Sequence, residues 1–265
     1  MITLPRAAEV AAQLARSAGH LLREQQLSGD LEIATKEGGE VVTSADRRAD
    51  QLIQEGLRSA FPGDAVYSEE TPDSGDRLNC RRVWIVDPLD GTSTYVRGGD
   101  EYCVSIGLSI DGHAVVGAIY NPSRDELVHG SVGAGVRRNG REVNVSTAAL
   151  AGAQLSTSRR DLENQLLPEL PATLTVVASM AYKLARVAAG IDDGVVSAIH
   201  RKEWGTCAGV ALVLAGGGRV GLFDGTPVRF NRRELRQPLG MAAGGPVLYP
   251  ELLDALAAAP LGRPR

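Results

Sequence analysis

The sequence predicts an α+β fold with two layers of sheet and helices outside and between them. Three observations carry this. The chain opens with helical periodicity. Asp-Gly and Asn-Gly turns then join runs of strand-forming residues. Near residue 146 the pattern changes to short strands alternating with apolar helices.

Taken in order, residues 5–26 place Ala, Val and Leu at helical spacing with charges between them, the pattern of an amphipathic helix. Thr43 or Ser44 can cap a second helix over 45–60, whose apolar positions Ala49, Leu52, Ile53 and Leu57 recur every three or four residues. A short segment, 65–67, follows the Pro62-Gly63 turn, and the apolar run 83–86 reads as a buried strand. Strands at 102–110 and 114–120 flank Asp111-Gly112, a two-residue hairpin turn. A further strand, 127–130, follows Asn121-Pro122, and 136–138 pairs with 141–143 around Asn139-Gly140. Beyond the change of pattern, 153–156 and 174–177 read as strands and 179–189 as a helix ended by Gly190. Residues 206–215 form an apolar helix followed by three glycines, and 250–259 a final short helix.

Composition narrows the function. Two hundred and sixty-five residues suffice for a sizeable core. A net charge of −4 argues against electrostatic nucleic-acid binding, and an aromatic content of 4% argues against base-stacking platforms. Cys80, Cys103 and Cys207 share no CxxC spacing, so neither a zinc site nor a disulfide framework is expected. The first residues lack the unbroken apolar stretch of a signal peptide, and no apolar run reaches membrane-spanning length. The expectation is a cytoplasmic protein with no membrane and no nucleic-acid partner.

The most informative string is Val86-Asp87-Pro88-Leu89-Asp90-Gly91-Thr92-Ser93. Two carboxylates where a strand ends make an oxygen-rich cation site. The helix start behind them offers backbone N–H groups and a positive dipole end, which suit a phosphate. A cation beside a phosphate is equipment for phosphoryl transfer or hydrolysis. Taken alone, the same residues also compose an ordinary turn. Further acids at element boundaries, Glu69 and Glu70 after one short segment and Asp46 at the start of a helix, favour the cation reading.

These residues, together with Val116–Pro122, Arg138-Asn139-Gly140 and the segment from Trp204 to Gly209, resemble the inositol monophosphatase-like superfamily of magnesium-dependent, lithium-sensitive phosphatases. The resemblance covers nearly the whole chain and implies a five-layered α-β-α-β-α sandwich. It implies an N-terminal subdomain, 1–146, with most of the metal ligands, and a C-terminal subdomain, 147–265, completing the pocket. By the same resemblance Glu69, Asp87, Asp90 and the carbonyl of Leu89 are metal ligands for two or three Mg²⁺ ions, with Mn²⁺ as a substitute. Asp46 and Thr92 orient and deprotonate a water, and Glu70 holds a further ion through water. Gly91, Thr92 and Ser93 cradle the phosphate, and Lys36 approaches the phosphate or the outer ion. A homodimer is compatible with the resemblance.

Two positions depart from the family's pattern. Gly205 stands where the family carries an aspartate that ligates the second ion. Ala198 stands where inositol phosphatases carry a glutamate for sugar hydroxyls. The segment 179–190 resembles instead the CysQ-type 3′(2′),5′-bisphosphate nucleotidases, in which Lys183 would meet a second phosphate. The expected activity is therefore hydrolysis of a small phosphate ester, foremost a 3′-phosphorylated nucleotide. An inositol, sugar or histidinol phosphate is the enzymatic alternative. A degenerate phosphate-binding or regulatory protein, prompted by Gly205, is the alternative of another class.

Overall fold

A computed structural model describes residues 3–29, 32–35, 41–199, 201–234 and 240–258. Helix α1 (Leu4–Ser28) buries a face made of Ala7, Ala8, Ala11, Ala12, Ala15, Ala18 and Leu22. Pro5 sits in its first turn, where the missing N–H has no intrahelical role, and Gly29 ends it at φ 71°. Such small residues let the helix lie close on its neighbours: a Cβ at Gly19 would stand 2.4 Å from the Tyr120 ring. Two three-residue strands that the sequence did not announce, β1 (Ile33–Thr35) and β2 (Val41–Thr43), pair antiparallel. Helix α2 (Ser44–Ala60) starts from Thr43, whose side chain accepts the Ala45 and Asp46 N–H groups while Asp46 accepts the Thr43 N–H. This reciprocal cap is worth about 1 kcal/mol.

The larger sheet runs in chain order, β3 (Ala65–Ser68), β4 (Arg82–Asp90), β5 (Cys103–Ile110), β6 (His113–Asn121), β7 (Glu126–Ser131), β8 (Gly135–Arg138) and β9 (Arg141–Val143), with the short helix α3 (Thr92–Val96) after β4. Only β3 and β4 are parallel. Both expected hairpin turns form, with positive φ at Asp111 and Gly112 and at Asn139 and Gly140, as mirror-image turns require. The strand expected over 83–86 is longer than its apolar run. It continues through both aspartates to Asp90, with a register shift against β5 between Asp87 and Asp90. That irregularity turns carboxylates out of a strand that is otherwise buried.

The second sheet contains β10 (Gln154–Thr157), β11 (Thr173–Val176), β12 (Gly194–Ser197), β13 (Arg219–Leu222) and β14 (Met241–Gly244), in the order β11-β10-β12-β14-β13. The first three are mutually parallel, and β14 runs antiparallel to β12 and β13. Strands β12, β13 and β14 were not among those expected. They are four residues long and rich in Gly, Ala and Val, with no alternation to read. The helices here are α4 (Arg159–Glu163), α5 (Met180–Ala188), α6 (Cys207–Ala215) and α7 (Leu248–Ala258).

Five layers result. Helices α1 and α2 cover one face of the larger sheet. Helices α5 and α6 lie between the sheets and share one core with both. Helix α7 covers the outer face of the smaller sheet. The change of sequence pattern near 146 falls where the chain crosses from β9 to β10. The middle layer is tight because α6 rests on glycines. A Cβ at Gly107 would stand 2.6 Å from the Ala208 nitrogen, and one at Gly117 2.2 Å from the Ala208 oxygen.

Both obstacles are backbone atoms, so relief requires the helix to move. Gly117→Ala should therefore destabilise the protein by about 1–3 kcal/mol. Urea unfolding should give a lower midpoint at an unchanged slope, and an unaltered midpoint would refute this account of the packing.

Candidate functional site

The carboxyl ends of parallel strands in both sheets open on one cavity of about 1130 Å³. Such strand ends are where α/β sheets present ligand-binding loops. Glu69 follows β3, and Asp87, Leu89 and Asp90 belong to the irregular end of β4, with Gly91, Thr92 and Ser93 next to them. On the facing wall, Ser158, Arg159 and Arg160 follow β10, Ala178 follows β11, and Ile199 and Arg201 follow β12.

The carboxylates are held individually. Asp87 is buried, and one of its oxygens accepts the Leu89 N–H at 3.1 Å. Its pKa is pushed well above the usual carboxylate range, first by burial and then by the charges of Glu69, Asp90 and Asp46. One oxygen of Asp90 accepts the Ser179 hydroxyl at 2.7 Å and the Ala181 N–H at 2.8 Å, which ties β4 to the start of α5. The Glu69 N–H donates to Val86 O at 3.1 Å. Asp46 and Glu70 lie outside the cavity wall. Asp46 is buried behind it, where the Thr43 N–H (2.8 Å) and hydroxyl (2.6 Å) both donate to its Oδ2. Burial pushes its pKa up to about 6; the Thr43 bonds oppose the shift, and the charge of Glu70 adds to it.

Thr92 links Asp46 to the wall. Its hydroxyl stands 3.0 Å from Leu89 O and 3.5 Å from Asp46 Oδ1. A hydroxyl has one proton, and the shorter distance assigns it to Leu89 O. Gly91 has φ 99°, and a Cβ there would stand 2.9 Å from Glu101 O, so this turn requires glycine.

Gly205 lies beside the same carboxylates. A Cβ built on it would be 3.9 Å from an oxygen of Asp87 and 3.9 Å from an oxygen of Asp90, with nothing nearer. The position thus has room for a side chain. Glu203 does not compensate: it is buried and accepts the N–H groups of Asn231 (2.7 Å) and Arg232 (2.9 Å). Burial pushes its pKa up to about 7, against those two donors. Trp204 between them packs edge-on against Tyr67.

Lys183 corrects an expectation. It is fully buried, and its ammonium donates to Val177 O at 2.6 Å and Ala178 O at 3.4 Å. It braces the backbone after β11 and does not face the cavity, so it is not a partner for a substrate phosphate. Helical spacing could not reveal this, because a lysine on a helix is normally solvated. Lys36 lies outside the described residues. Sequence reasoning missed Arg159, Arg160 and Arg201 on the facing wall and the Ser179 bond to Asp90. The one available signal was the Arg-Arg pair just after a strand.

The donors suit a hard cation. Glu69, Asp87 and Asp90 supply carboxylate oxygens and Leu89 a carbonyl, and the repulsion that, after burial, raises the Asp87 pKa is what a cation would relieve. Among the described residues no three His, Cys, Asp or Glu side chains are gathered into a closed metal cage. Mg²⁺ does not need one, since it keeps several waters and takes one or two carboxylates plus substrate phosphate oxygens. The residues therefore fit Mg²⁺.

The profile of the Inositol monophosphatase family matches residues 4–260. The chain is 35% identical over 231 residues to the Nus factor SuhB of Xylella fastidiosa, covering 83% of this chain and 82% of that one. It is 32% identical over 233 residues to the inositol-1-monophosphatase of a Synechocystis species, covering 84% and 78%. Among solved structures, the SuhB protein of Bartonella henselae superposes with a TM-score of 0.81 at 29% identity, covering 94% and 98%. The inositol monophosphatase of Anabaena superposes with a TM-score of 0.78 at 28% identity, covering 98% of each chain.

Two measurements check this geometry. Burial, with Arg201 nearby, lowers the Lys183 pKa from 10.5 to about 7, against the charges of Asp90, Asp161 and Glu101. Between those pH values the unfolded chain binds the proton and the folded chain does not, so stability rises with pH across the interval. Lys183→Met should flatten that rise in Tm measured from pH 7 to 10. Gly205→Asp adds a carboxylate beside Asp87 and Asp90. In chelator it should lower Tm through like-charge repulsion, and added Mg²⁺ should raise Tm more than in the wild type. An equal Mg²⁺ response in both proteins would show that position 205 does not reach the cation.

Proposed function

The chain belongs to the inositol monophosphatase family, and from that premise we propose that it is a Mg²⁺-dependent phosphomonoesterase acting on a small phosphorylated metabolite. The observation that carries the reading is the convergence of Glu69, Asp87, Leu89 and Asp90 with Gly91, Thr92 and Ser93 on one cavity wall. Glu69, Asp87, Asp90 and Leu89 O would hold Mg²⁺, which neutralises phosphate charge and acidifies a coordinated water. Gly91, Thr92 and Ser93 orient the phosphate from the start of α3. Asp46, with a pKa of about 6, is suited to take a proton through the Thr92 hydroxyl when that hydroxyl turns from Leu89 O toward Asp46 Oδ1, 3.5 Å away. Glu70 acts behind the wall, through its charge on Asp46.

Within that activity the favoured substrate is a phosphorylated nucleotide, foremost the 3′-phosphorylated kind. Support comes from Ala198, which has no side-chain oxygen for a polyol and whose N–H is engaged by Asp161 at 2.9 Å. The polyol-phosphate alternative rests on the inositol monophosphatase name that several relatives carry. A second reading, a phosphate-binding regulatory protein with little turnover, is favoured by Gly205 and by relatives named Nus factor. Small-molecule binding and cation chemistry are common to all of these readings. A homodimer remains part of the proposal, and among the described residues no helix is long and apolar enough to cross a membrane.

Phosphate release from a panel of esters tests the reading. Activity should require Mg²⁺ or Mn²⁺ and vanish in excess chelator. Asp87→Asn should reduce kcat/KM by more than ~100-fold, beyond the ~10–100-fold typical of an outer-shell partner, while circular dichroism stays unchanged. Full activity in chelator would sink the cation mechanism. Absence of turnover on every ester would favour the regulatory reading.

A further inference from the structure

The wall facing the carboxylates contains a cation, Arg201, that makes no direct ion pair among the described residues. Arg201 lines the cavity, and one of its terminal nitrogens donates to the hydroxyls of Ser158 and of Ser197, the latter at 3.0 Å. Its Nε is buried without a hydrogen-bond partner. Among the described residues its bonds go only to neutral groups. The nearby acid, Asp161, accepts the Ser197 hydroxyl at 2.8 Å, the Ala198 N–H at 2.9 Å, and the Ser158 N–H and Thr157 hydroxyl at 3.3 Å each. Burial lowers the Arg201 pKa, and the charge of Arg160 lowers it further, against Asp90 and Asp161. A half-buried guanidinium with a second cation nearby and no direct ion pair among the described residues is suited to receive an anion.

The surroundings agree with an incoming anion. Arg160 and Arg159 are exposed on the same wall, and Arg97 is exposed on the wall that carries Ser93. The chain as a whole has a net charge of −4, so this basic concentration is local. Asp90 and Arg201 line the same cavity of about 1130 Å³, so one small molecule can meet both. Guanidinium groups bind phosphate in fork geometry, which makes a phosphoryl group the best-matched anion.

We propose that Arg201, with Arg160 beside it, is a second anion-binding point that selects phosphate esters carrying another phosphate on the same molecule. This rests on the phosphomonoesterase reading and deepens it: one phosphate is cleaved at Asp87 and Asp90 while the other is held by the arginines. It moves to Arg201 the role that the sequence assigned to Lys183.

The test compares kcat/KM within matched pairs: adenosine 3′,5′-bisphosphate against adenosine 3′-monophosphate, and fructose 1,6-bisphosphate against fructose 1-phosphate. The wild type should prefer the bisphosphate by at least ~10-fold in one pair, and the better pair identifies the nucleotide or the sugar as the source. Arg201→Gln and the exposed Arg160→Gln should each reduce that ratio several-fold, with most of the loss in KM. Arg160→Gln keeps the test valid if Arg201→Gln does not fold. A ratio near one in both pairs, or a ratio untouched by both variants, overturns the proposal and leaves the phosphatase reading intact. Equal losses on both members of a pair also overturn it, because they would assign Arg201 to the cleaved phosphate. If no ester is hydrolysed, the phosphatase reading fails. Calorimetric titration with adenosine 3′,5′-bisphosphate then decides: weaker binding by the variants supports the arginine site, and absent or equal binding overturns it.

Discussion

Like-charged carboxylates gathered in a half-dry floor are the constraint on which the rest of this structure depends. Asp87, Asp90, Glu69 and Asp46 lie close enough that three of them raise the proton affinity of Asp87. Left to relax, such groups would separate or protonate. The fold instead holds them by local donors. Thr43 fixes Asp46 through the cap of α2, Leu89 N fixes Asp87, and Ser179 with Ala181 N fixes Asp90 through the start of α5. Three separate elements thus converge on one acidic patch. Helix capping here does two jobs, since the acid that closes the capping box of α2 is also the site's buried carboxylate.

The scaffold that brings these elements together depends on close approach in the middle layer. Helix α6 lies on Gly107 and Gly117 of the larger sheet, and Gly209 of α6 in turn admits Leu184 of α5. Because both inner helices are seated this tightly, the ends of β3 and β4 face the ends of β10, β11 and β12 across a single cavity. Lys183 belongs to this framework: it anchors the carbonyls of Val177 and Ala178 just before Ser179. Its burial is the cost of fixing the backbone that orients Asp90.

Charge is divided across the cavity: Glu69, Asp87 and Asp90 lie on the larger sheet's side with Arg97 at its edge, and Arg159, Arg160 and Arg201 lie on the smaller sheet's side. On the proposed reading a cation would complete the first wall, and an anionic group on the ligand would complement the second. Of the two positions set apart in the sequence, Gly205 lies on the cavity wall and Ala198 does not. Gly205 leaves space beside Asp87 and Asp90, and Ala198 offers only its backbone, which Asp161 already engages.

Features set by neighbours in the chain were legible from the sequence alone. The cap at Thr43, the hairpins at Asp111-Gly112 and Asn139-Gly140, the helices before and after the sheets and the acidic string 87–93 all arise from chemistry within a few residues. The five-layered architecture followed from the resemblance those strings carry, and solved structures share it. The tertiary structure alone decided where β12, β13 and β14 pair, because four-residue strands of Gly, Ala and Val have no period of their own. It also buried the lysine that the sequence reading placed in the pocket and brought to the cavity an arginine that reading did not single out. Lys183 is sealed inside by α5 packing on α6 and the sheets, while Arg201 reaches the cavity on serines 43 and 4 positions away. The burial of a charged side chain is set by what distant segments place against it, and no local pattern encodes that.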